Sequence, residues 1–450
     1  MYQRDIENEL LRWKQSSHRK PLLLRGARQV GKTTVIHTFS KHYSQYIYLN
    51  LENRADAQPF LHYPGIDKLV EAIFFLHNKD LNEPDTLIFI DEIQEVPETV
   101  NLLRYFFEEY PQLHIIAAGS LLETLLDKSI HIPVGRVEYK VLRPFSFVEF
   151  LTAMGETSAL QQLGTMPPND FAHEKLMQLF HTYTLIGGMP EVVSHYVGNR
   201  NLGALSTIYE SLSFSYINDI EKYARNNSSI QVMRHIIHTM YIEAGSRIKF
   251  HGFGQSNYGS REVGEAIRTI EKAMLLCLVY PTTNTSLPIV PDKRKSPRLQ
   301  LLDTGLMNHF VGLQKEIIGT MELDKVYKGK VIEHIVGQEL LTLKFNIFNQ
   351  LHFWTREKRD STSEVDFVIN IDGLIIPVEV KSGATGTLRS LHTFMDSAPH
   401  DIAIRLYAGE YNISKVKTLT GKPFYLINLP YYMVSQIEKY VLDFINNKPI

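Results

Sequence analysis

Two groups of residues in this chain have the types and spacing to do chemistry. The first is Gly26-Ala27-Arg28-Gln29-Val30-Gly31-Lys32-Thr33. Its glycines let a backbone loop wrap an anion, with the loop N–H groups pointing inward. Lys32 would reach the β- and γ-phosphates of a nucleotide, and the Thr33 hydroxyl would ligate Mg²⁺. The second group is Ser363 to Lys381, where Asp372-Gly373 is a strong two-residue hairpin signal. A turn centred there makes paired residue numbers sum to 745, so Asp366 faces Glu379 and Glu364 faces Lys381. Period-two alternation puts all four on one face. Asp366 and Glu379 would form a non-hydrogen-bonded pair, with α-carbons about 4.5 Å apart. Facing carboxylates repel unless a cation lies between them. Hard oxygen donors suit Mg²⁺ or Mn²⁺. Lys381 beside them would stabilise charge on a phosphorane-like centre or orient a water. The plainer alternative is an exposed hairpin with a Glu364–Lys381 salt bridge.

The elements around the first group are those a phosphate site needs. Pro21-Leu22-Leu23-Leu24 reads as a short buried strand, and Thr34 to Ser40 has helical character. A helix start after the loop adds the positive end of a dipole. Thr86-Leu87-Ile88-Phe89-Ile90-Asp91-Glu92 is a buried-strand run ending in two carboxylates. Asp91 is placed to hold Mg²⁺, and Glu92 to activate the attacking water as general base. Further strands are expected at Tyr46–Leu51 and His114–Ala118, the latter leading into Gly119-Ser120. Strands alternating with helices predict an α/β fold with a parallel sheet, and ligands at the carboxyl ends of its strands. Ser120 would then lie near the γ-phosphate. It equally reads as a helix N-cap, with Glu123 completing a capping box.

Hydrophobic residues make up 44% of the 450 and charged residues 21%, which predicts globular domains. A net charge of −2 gives no global basic field, so nucleic-acid binding would need a local patch. The single cysteine, Cys277, excludes a disulfide framework and a thiolate metal cluster, which suits a reducing cytoplasm. Met1 to Lys14 reads as an amphipathic helix rather than a signal peptide. No apolar run approaches the roughly 20 residues of a membrane span. Residues 151–225 read as helical, with a break at Gly187-Gly188-Met189-Pro190. Over residues 226–312, helices at Ile230–Ala244 and Ser260–Lys272 precede strand-like runs at Leu275–Tyr280 and Arg298–Leu302. Between those runs lies the basic segment Asp292-Lys293-Arg294-Lys295-Ser296-Pro297-Arg298. A helix pair followed by a hairpin with a basic tip resembles a winged helix. The tip would sit on a phosphate backbone, or serve as a solvated or protein-docking hairpin.

The motifs together resemble a family of prokaryotic AAA-type ATPases. Gly26 to Thr34 is followed in order by Asp91-Glu92-Ile93-Gln94, Gly119-Ser120, Gly135-Arg136 and Pro144-Phe145-Ser146-Phe147-Val148-Glu149-Phe150. The resemblance implies ATP and Mg²⁺ as ligands, with Gly26 to Thr34, Asp91 and Ser120 contacting the nucleotide. It implies that Arg136 acts on a γ-phosphate in cis or from a neighbouring subunit, as an arginine finger does. A homo-oligomer follows as a possible partner state. It also makes Gly187–Pro190 part of a helical lid, and Leu302-Asp303-Thr304-Gly305-Leu306 the end of the winged-helix segment. The Asp366, Glu379 and Lys381 constellation resembles the PD-(D/E)xK nuclease superfamily, with Val365 where proline is usual. In that superfamily an upstream helical glutamate joins the metal ligands, which points to Glu333. The expected domains are an AAA-like P-loop core at 1–150, a helical lid at 151–225, a winged-helix-like domain at 226–312 and a restriction-endonuclease-like α/β domain at 313–450. The expected function is an ATPase coupled to a metal-dependent nuclease-like domain acting on DNA. The alternative is an ATP-dependent switch whose C-terminal domain binds DNA or a protein without cutting.

Overall fold

The computed structural model describes residues 2–63, 65–119, 135–221, 224, 226–314, 329–358, 361–381, 383 and 388–448. They form two compact units: Met1–Arg143 with Arg268–Leu275 and Phe345–Phe348, and Pro144–Ile267 with Leu276–Lys344 and Asn349–Ile450. The Pro144–Phe150 motif therefore falls in the second unit, not at the end of the first.

In the first unit, β1 (Leu22–Arg25), β2 (Gln45–Asn50), β3 (Thr86–Asp91), β4 (His114–Gly119) and β5 (Glu138–Val141) form one sheet in the order β2-β3-β4-β1-β5. Every pairing is parallel. The central strands are apolar runs buried throughout, as strands covered by helices on both faces must be. The helices pack through apolar positions three and four apart: Val100, Leu103 and Phe106 in Thr99–Glu109, and Leu69, Val70, Ile73 and Phe74 in Ile66–Leu76. Each such burial stabilises by about 1.5–3 kcal/mol before entropy is counted. Ile6, Leu10 and Trp13 bury one face of the N-terminal helix Ile6–Gln15. The edge strand β5 was not foreseen, because Glu138-Tyr139-Lys140-Val141 carries no apolar run.

In the second unit, β6 (Leu276–Thr282) and β7 (Arg298–Leu301) pair antiparallel, following the helices Asn227–Glu243 and Ser260–Lys272. The expected order of two helices and a hairpin is present, but the hairpin is not a free wing. β6 also pairs in parallel with β8 (His352–Lys358), which pairs antiparallel with β9 (Ser361–Val365), giving the order β7-β6-β8-β9. A second sheet comprises β10 (Phe367–Ile371), β11 (Leu374–Val380), β12 (Ile402–Tyr407), β13 (Asn412–Lys417) and β14 (Pro423–Pro430) in the order β10-β11-β12-β14-β13. The β10–β11 register joins Phe367 to Val378 and Ile371 to Leu374, the pairing expected from the turn. Asp372 and Gly373 take φ of 48° and 80°, the left-handed pair that a tight hairpin needs.

One expectation fails at the hairpin base. The strand bends at Asp366, and β9 leaves β11 to pair with β8, placing Glu364 opposite Thr355. Glu364 therefore does not face Lys381; it takes Arg298 and Arg247 instead.

Three motifs that are far apart in sequence close on one buried carboxylate. Asp303 caps the helix Thr304–Phe310 by accepting from Leu306 N–H at 3.0 Å, and it accepts from Gly188 N–H at 2.6 Å. Phe145 N–H donates to Gly188 O at 2.7 Å. A Cβ on Gly188 would collide with the Phe145 backbone, so this approach requires glycine. Burial pushes the Asp303 carboxyl up to about 6 against the opposing pull of these N–H donors. The helix Gly329–Thr342 adds Gln338 and Glu339; the latter accepts from Phe147 N–H at 3.0 Å and from the Tyr183 hydroxyl at 2.6 Å. His334 on the same helix accepts from Leu301 N–H through Nε2 at 2.9 Å, which puts its proton on Nδ1, facing Thr304 Oγ1 at 2.9 Å. Burial depresses that imidazole to about 3, so it is neutral. The Gly187–Pro190 break is thus one corner of a polar core, not a simple turn.

Candidate functional site

The loop after β1 and the end of β3 lie at the same edge of the sheet, with β4 between them. Ala117 pairs with both Leu23 and Ile90, which brings Asp91 level with Leu24, two residues before the loop begins at Gly26. Gly26 is set by close approach: a Cβ there would lie 2.5 Å from Leu142 O. Gln29 and Gly31 take φ of 65° and 95°, and the helix Lys32–Phe39 begins directly after. Ala27 and Val30 are fully buried and anchor the loop, Arg28 is half-buried and Gln29 is exposed. Thr34 is exposed in the first turn of the helix. The loop therefore offers backbone N–H groups at a helix N-terminus, the arrangement that binds phosphate.

Lys32 curls back on this loop, donating from Nζ to Gly26 O at 2.9 Å and to Ala27 O at 3.0 Å. Thr33 Oγ1 donates to Asp91 Oδ2 at 2.6 Å, and the Tyr48 hydroxyl lies 3.4 Å from the same oxygen. Burial raises the Asp91 carboxyl above its ordinary range, and the neighbouring Glu92 charge adds to this, against the Thr33 hydrogen bond. A buried carboxylate beside a hydroxyl is a donor set that fits Mg²⁺, which keeps most of its coordination for water and phosphate. Glu92 follows in the left-handed region with φ 51° and accepts from Gln94 Nε2 at 2.5 Å. That backbone turns the Glu92 side chain out of the strand while Asp91 stays in it.

Sequence reasoning missed Arg4. It is buried and donates from Nη1 to Val30 O at 3.0 Å and from Nη2 to Arg143 O at 2.7 Å, propping the loop from beneath. Its signal in the sequence was an arginine in an amphipathic helical stretch, which reads as solvated. Ser120 lies outside the described residues. Arg136 precedes β5, whose Glu138 pairs with Leu22 at the start of β1, so it lies at the sheet edge opposite the loop. It pairs there with Glu108 at 2.8 Å. Gly26 lies four residues beyond Leu22, a rise of about 13 Å along the strand. Arg136 thus lies away from the loop of its own chain, held by Glu108.

The second constellation also assembles. Asp366 accepts from Val380 N–H at 2.8 Å, and Lys381 Nζ donates to Glu379 Oε1 at 2.7 Å. Burial raises all three carboxyls, with mutual repulsion adding at the two glutamates: Asp366 rises, Glu379 reaches about 7 and Glu333 about 8. Burial opposes the charge of Lys381, but Glu379, Asp366 and Glu333 outweigh it and raise its pKa. Arg298, expected in a phosphate-facing tip, lies among them instead. Its Nη2 meets Glu364 Oε2 at 2.8 Å, and its Nη1 lies 3.5 Å from Asp366 Oδ1 and 3.7 Å from Glu333 Oε2. Two more cations of the basic segment are similarly engaged, Arg294 with Asp292 and Lys295 with Glu357.

The donor chemistry at this constellation suits a divalent ion, and Glu379 Oε2 is buried without a hydrogen-bond partner. Among the described residues no three Asp, Glu, His or Cys side chains converge as a metal requires. The guanidinium of Arg298 already neutralises Asp366 and Glu333. Glu333, Asp366 and Glu379 are thus brought into one electrostatic cluster, with Arg298 and Lys381 as its cations.

Residues 18–151 match the family described as an AAA domain. Residues 177–317 and 328–432 match two domains of unknown function, DUF8612 and DUF4143. No curated protein matches the chain. Among solved structures, the chain is similar to the Walker-type ATPase PABY2304 of Pyrococcus abyssi, at 16% identity and a TM-score of 0.44, covering 69% of this chain and 96% of that one. It is also similar to the Thermotoga maritima RuvB Holliday junction branch migration motor, at 14% identity and a TM-score of 0.27, covering 61% of this chain and 89% of that one. PCH-2 of C. elegans matches at 15% identity and a TM-score of 0.26, covering 43% of this chain and 62% of that one. The family match and the loop geometry agree on an AAA-type ATPase domain in the first unit. Among the described residues no helix is long and apolar enough to cross a membrane.

Proposed function

We propose that this protein binds and hydrolyses ATP at the first unit and couples that cycle to a nuclease-like domain acting on DNA in the second. The observation that carries the ATPase reading is the gathering of Lys32, Thr33, Asp91 and Glu92 at the carboxyl edge of one parallel sheet. Lys32 exchanges its two loop carbonyls for the β- and γ-phosphate oxygens, and the loop N–H groups hold the rest of the phosphate chain. Thr33 and Asp91 would hold Mg²⁺, which neutralises charge on the outer phosphates when bound. Glu92, oriented by Gln94, takes the proton of the attacking water. Ser120 is proposed to read the γ-phosphate. Arg136 of an adjacent copy is proposed to complete the site in a homo-oligomer. A reducing cytoplasm suits a chain whose single cysteine is Cys277.

The nuclease-like reading rests on Asp366, Glu379 and Lys381 sharing the base of one hairpin. Its test is DNA cleavage in Mg²⁺ or Mn²⁺ by the wild type, Asp366→Ala and Lys381→Ala. Cleavage that survives both changes places the activity elsewhere. A second reading is favoured by the position of Arg298 in the carboxylate cluster: an ATP-dependent switch whose second unit binds DNA or a protein partner without cutting. Saturable DNA binding with no cleavage in either metal separates the two.

A further inference from the structure

The contacts of Arg298 are graded. The shortest, 2.8 Å, is to Glu364, which is not among the expected metal ligands. The two longer ones, 3.5 and 3.7 Å, are to Asp366 and Glu333, which are. Glu364 is held independently, since Arg247 Nε lies 3.0 Å from its other oxygen. The Phe353 ring supports both guanidiniums, 5.0 Å from Arg247 and 4.6 Å from Arg298. Arg298 can therefore release Asp366 and Glu333 by a small side-chain movement and stay bound to Glu364 and stacked on Phe353. Its backbone need not move, because β7 is pinned on both sides, by β6 and by the Ser246–Ile248 segment.

Formal charges point the same way. Glu333, Glu364, Asp366 and Glu379 supply four negative charges, and Arg247, Arg298 and Lys381 supply three positive ones. With Arg298 among them one negative charge is in excess. When it moves to Glu364, the group it leaves behind is Glu333, Asp366 and Glu379 facing Lys381, a formal excess of two that matches a divalent ion. Glu379 Oε2 is buried without a hydrogen-bond partner, while Lys381 holds the other oxygen.

We propose that Arg298 is a built-in cation of this site, holding the place of a divalent ion and yielding it when it swings toward Glu364. The inference rests on reading Glu333, Asp366 and Glu379 as metal ligands, and it adds that the resting chain binds metal there poorly because of one arginine. The test is Mn²⁺ titration of the full chain without nucleotide, with Asp91→Asn as background to silence the first site. The background chain is predicted to show no saturable Mn²⁺ site tighter than about 1 mM, the weak end of oxygen-ligand sites. Adding Arg298→Gln is predicted to create one at least about tenfold tighter, a gain of about 1.4 kcal/mol. Adding Asp366→Asn to that variant removes it. Arg298→Lys keeps a charge but cannot span Glu364 and Asp366 together, and is predicted to show a smaller gain. Equal Mn²⁺ affinity in the arginine, glutamine and lysine chains overturns the proposal. A tight site in the arginine chain that Asp366→Asn abolishes overturns it too, but leaves the metal reading standing. No Mn²⁺ site in any folded variant overturns both.

Discussion

At the carboxyl edge of the first sheet, Lys32 is satisfied by two carbonyls of its own loop and Asp91 by a threonine hydroxyl. At the base of the β10–β11 hairpin, Asp366 is met by a backbone N–H and a guanidinium, and Glu379 by a lysine. The partners at the first site are neutral and weak, so an incoming phosphate or Mg²⁺ displaces little. Those at the second are full charges, so a ligand must compete with ion pairs in a buried setting, where they are hard to break. The difference teaches that similar acidic and basic residues can leave one site ready and another closed. What decides is whether the opposite charge comes from the chain or is left to the ligand.

Breaking the first site should have the largest effect. Lys32→Ala removes two charge-assisted contacts to phosphate, each worth about 1.5–3 kcal/mol. ATP affinity, read by equilibrium titration, is predicted to fall by about 100-fold or more. Arg4→Ala sharpens the comparison without touching the nucleotide. It withdraws support from Val30 O and is predicted to weaken ATP binding by about tenfold, from one or two lost charged hydrogen bonds. An unchanged ATP affinity in that variant would show the loop to be rigid without its prop.

The second unit offers a test by pH. Asp303 is fully buried, and its folded pKa of about 6 lies above the ordinary 3.8. An acid that holds its proton more tightly when folded contributes stability at low pH. That contribution is lost as pH rises from about 4 to 6 and is flat above. Asp303→Asn removes the titration, so the stability difference between wild type and variant should change across that window and be constant above it. The variant is also expected to lose about 1–3 kcal/mol at low pH, because Gly188 and Leu306 donate to different oxygens and an NH2 group in place of one of them cannot accept. Denaturant melts at several pH values check both statements. A pH-independent difference would show that folding does not raise the Asp303 pKa.

The smallest effect is expected at the basic segment. Arg294 and Lys295 are already paired with acids. Changing Lys293, Arg294 and Lys295 to alanine should lower the salt slope of DNA binding by no more than about 1, where three phosphate contacts would lower it by about 3. A loss of the larger size would show that these side chains leave their acids for the backbone of DNA.

Much of this was legible in the sequence, and the reasons are local. The loop from Gly26, the β3 run to Asp91 and the Asp372-Gly373 register are each set by neighbours within a few residues, and they formed as the pattern required. The parts not legible depend on distant chain. β5 is paired by β1 in spite of its composition. Glu364 is drawn to β8 by a bend at Asp366 that no turn residue announces. Asp303, Gly188 and Phe145 read as three separate motifs because nothing in sequence says they share a hydrogen-bond network. Arg298 opens an apolar strand in a run of basic residues, so its charge was assigned to solvent rather than to the acids it meets.

The most direct test of the central claim is steady-state ATP turnover by the wild type and Glu92→Gln, with ATP affinity measured alongside. The account predicts that the variant still binds ATP while turnover falls by about 10²–10⁴-fold, the usual contribution of a positioned general base. Turnover equal to wild type in Glu92→Gln, with binding intact, would contradict it.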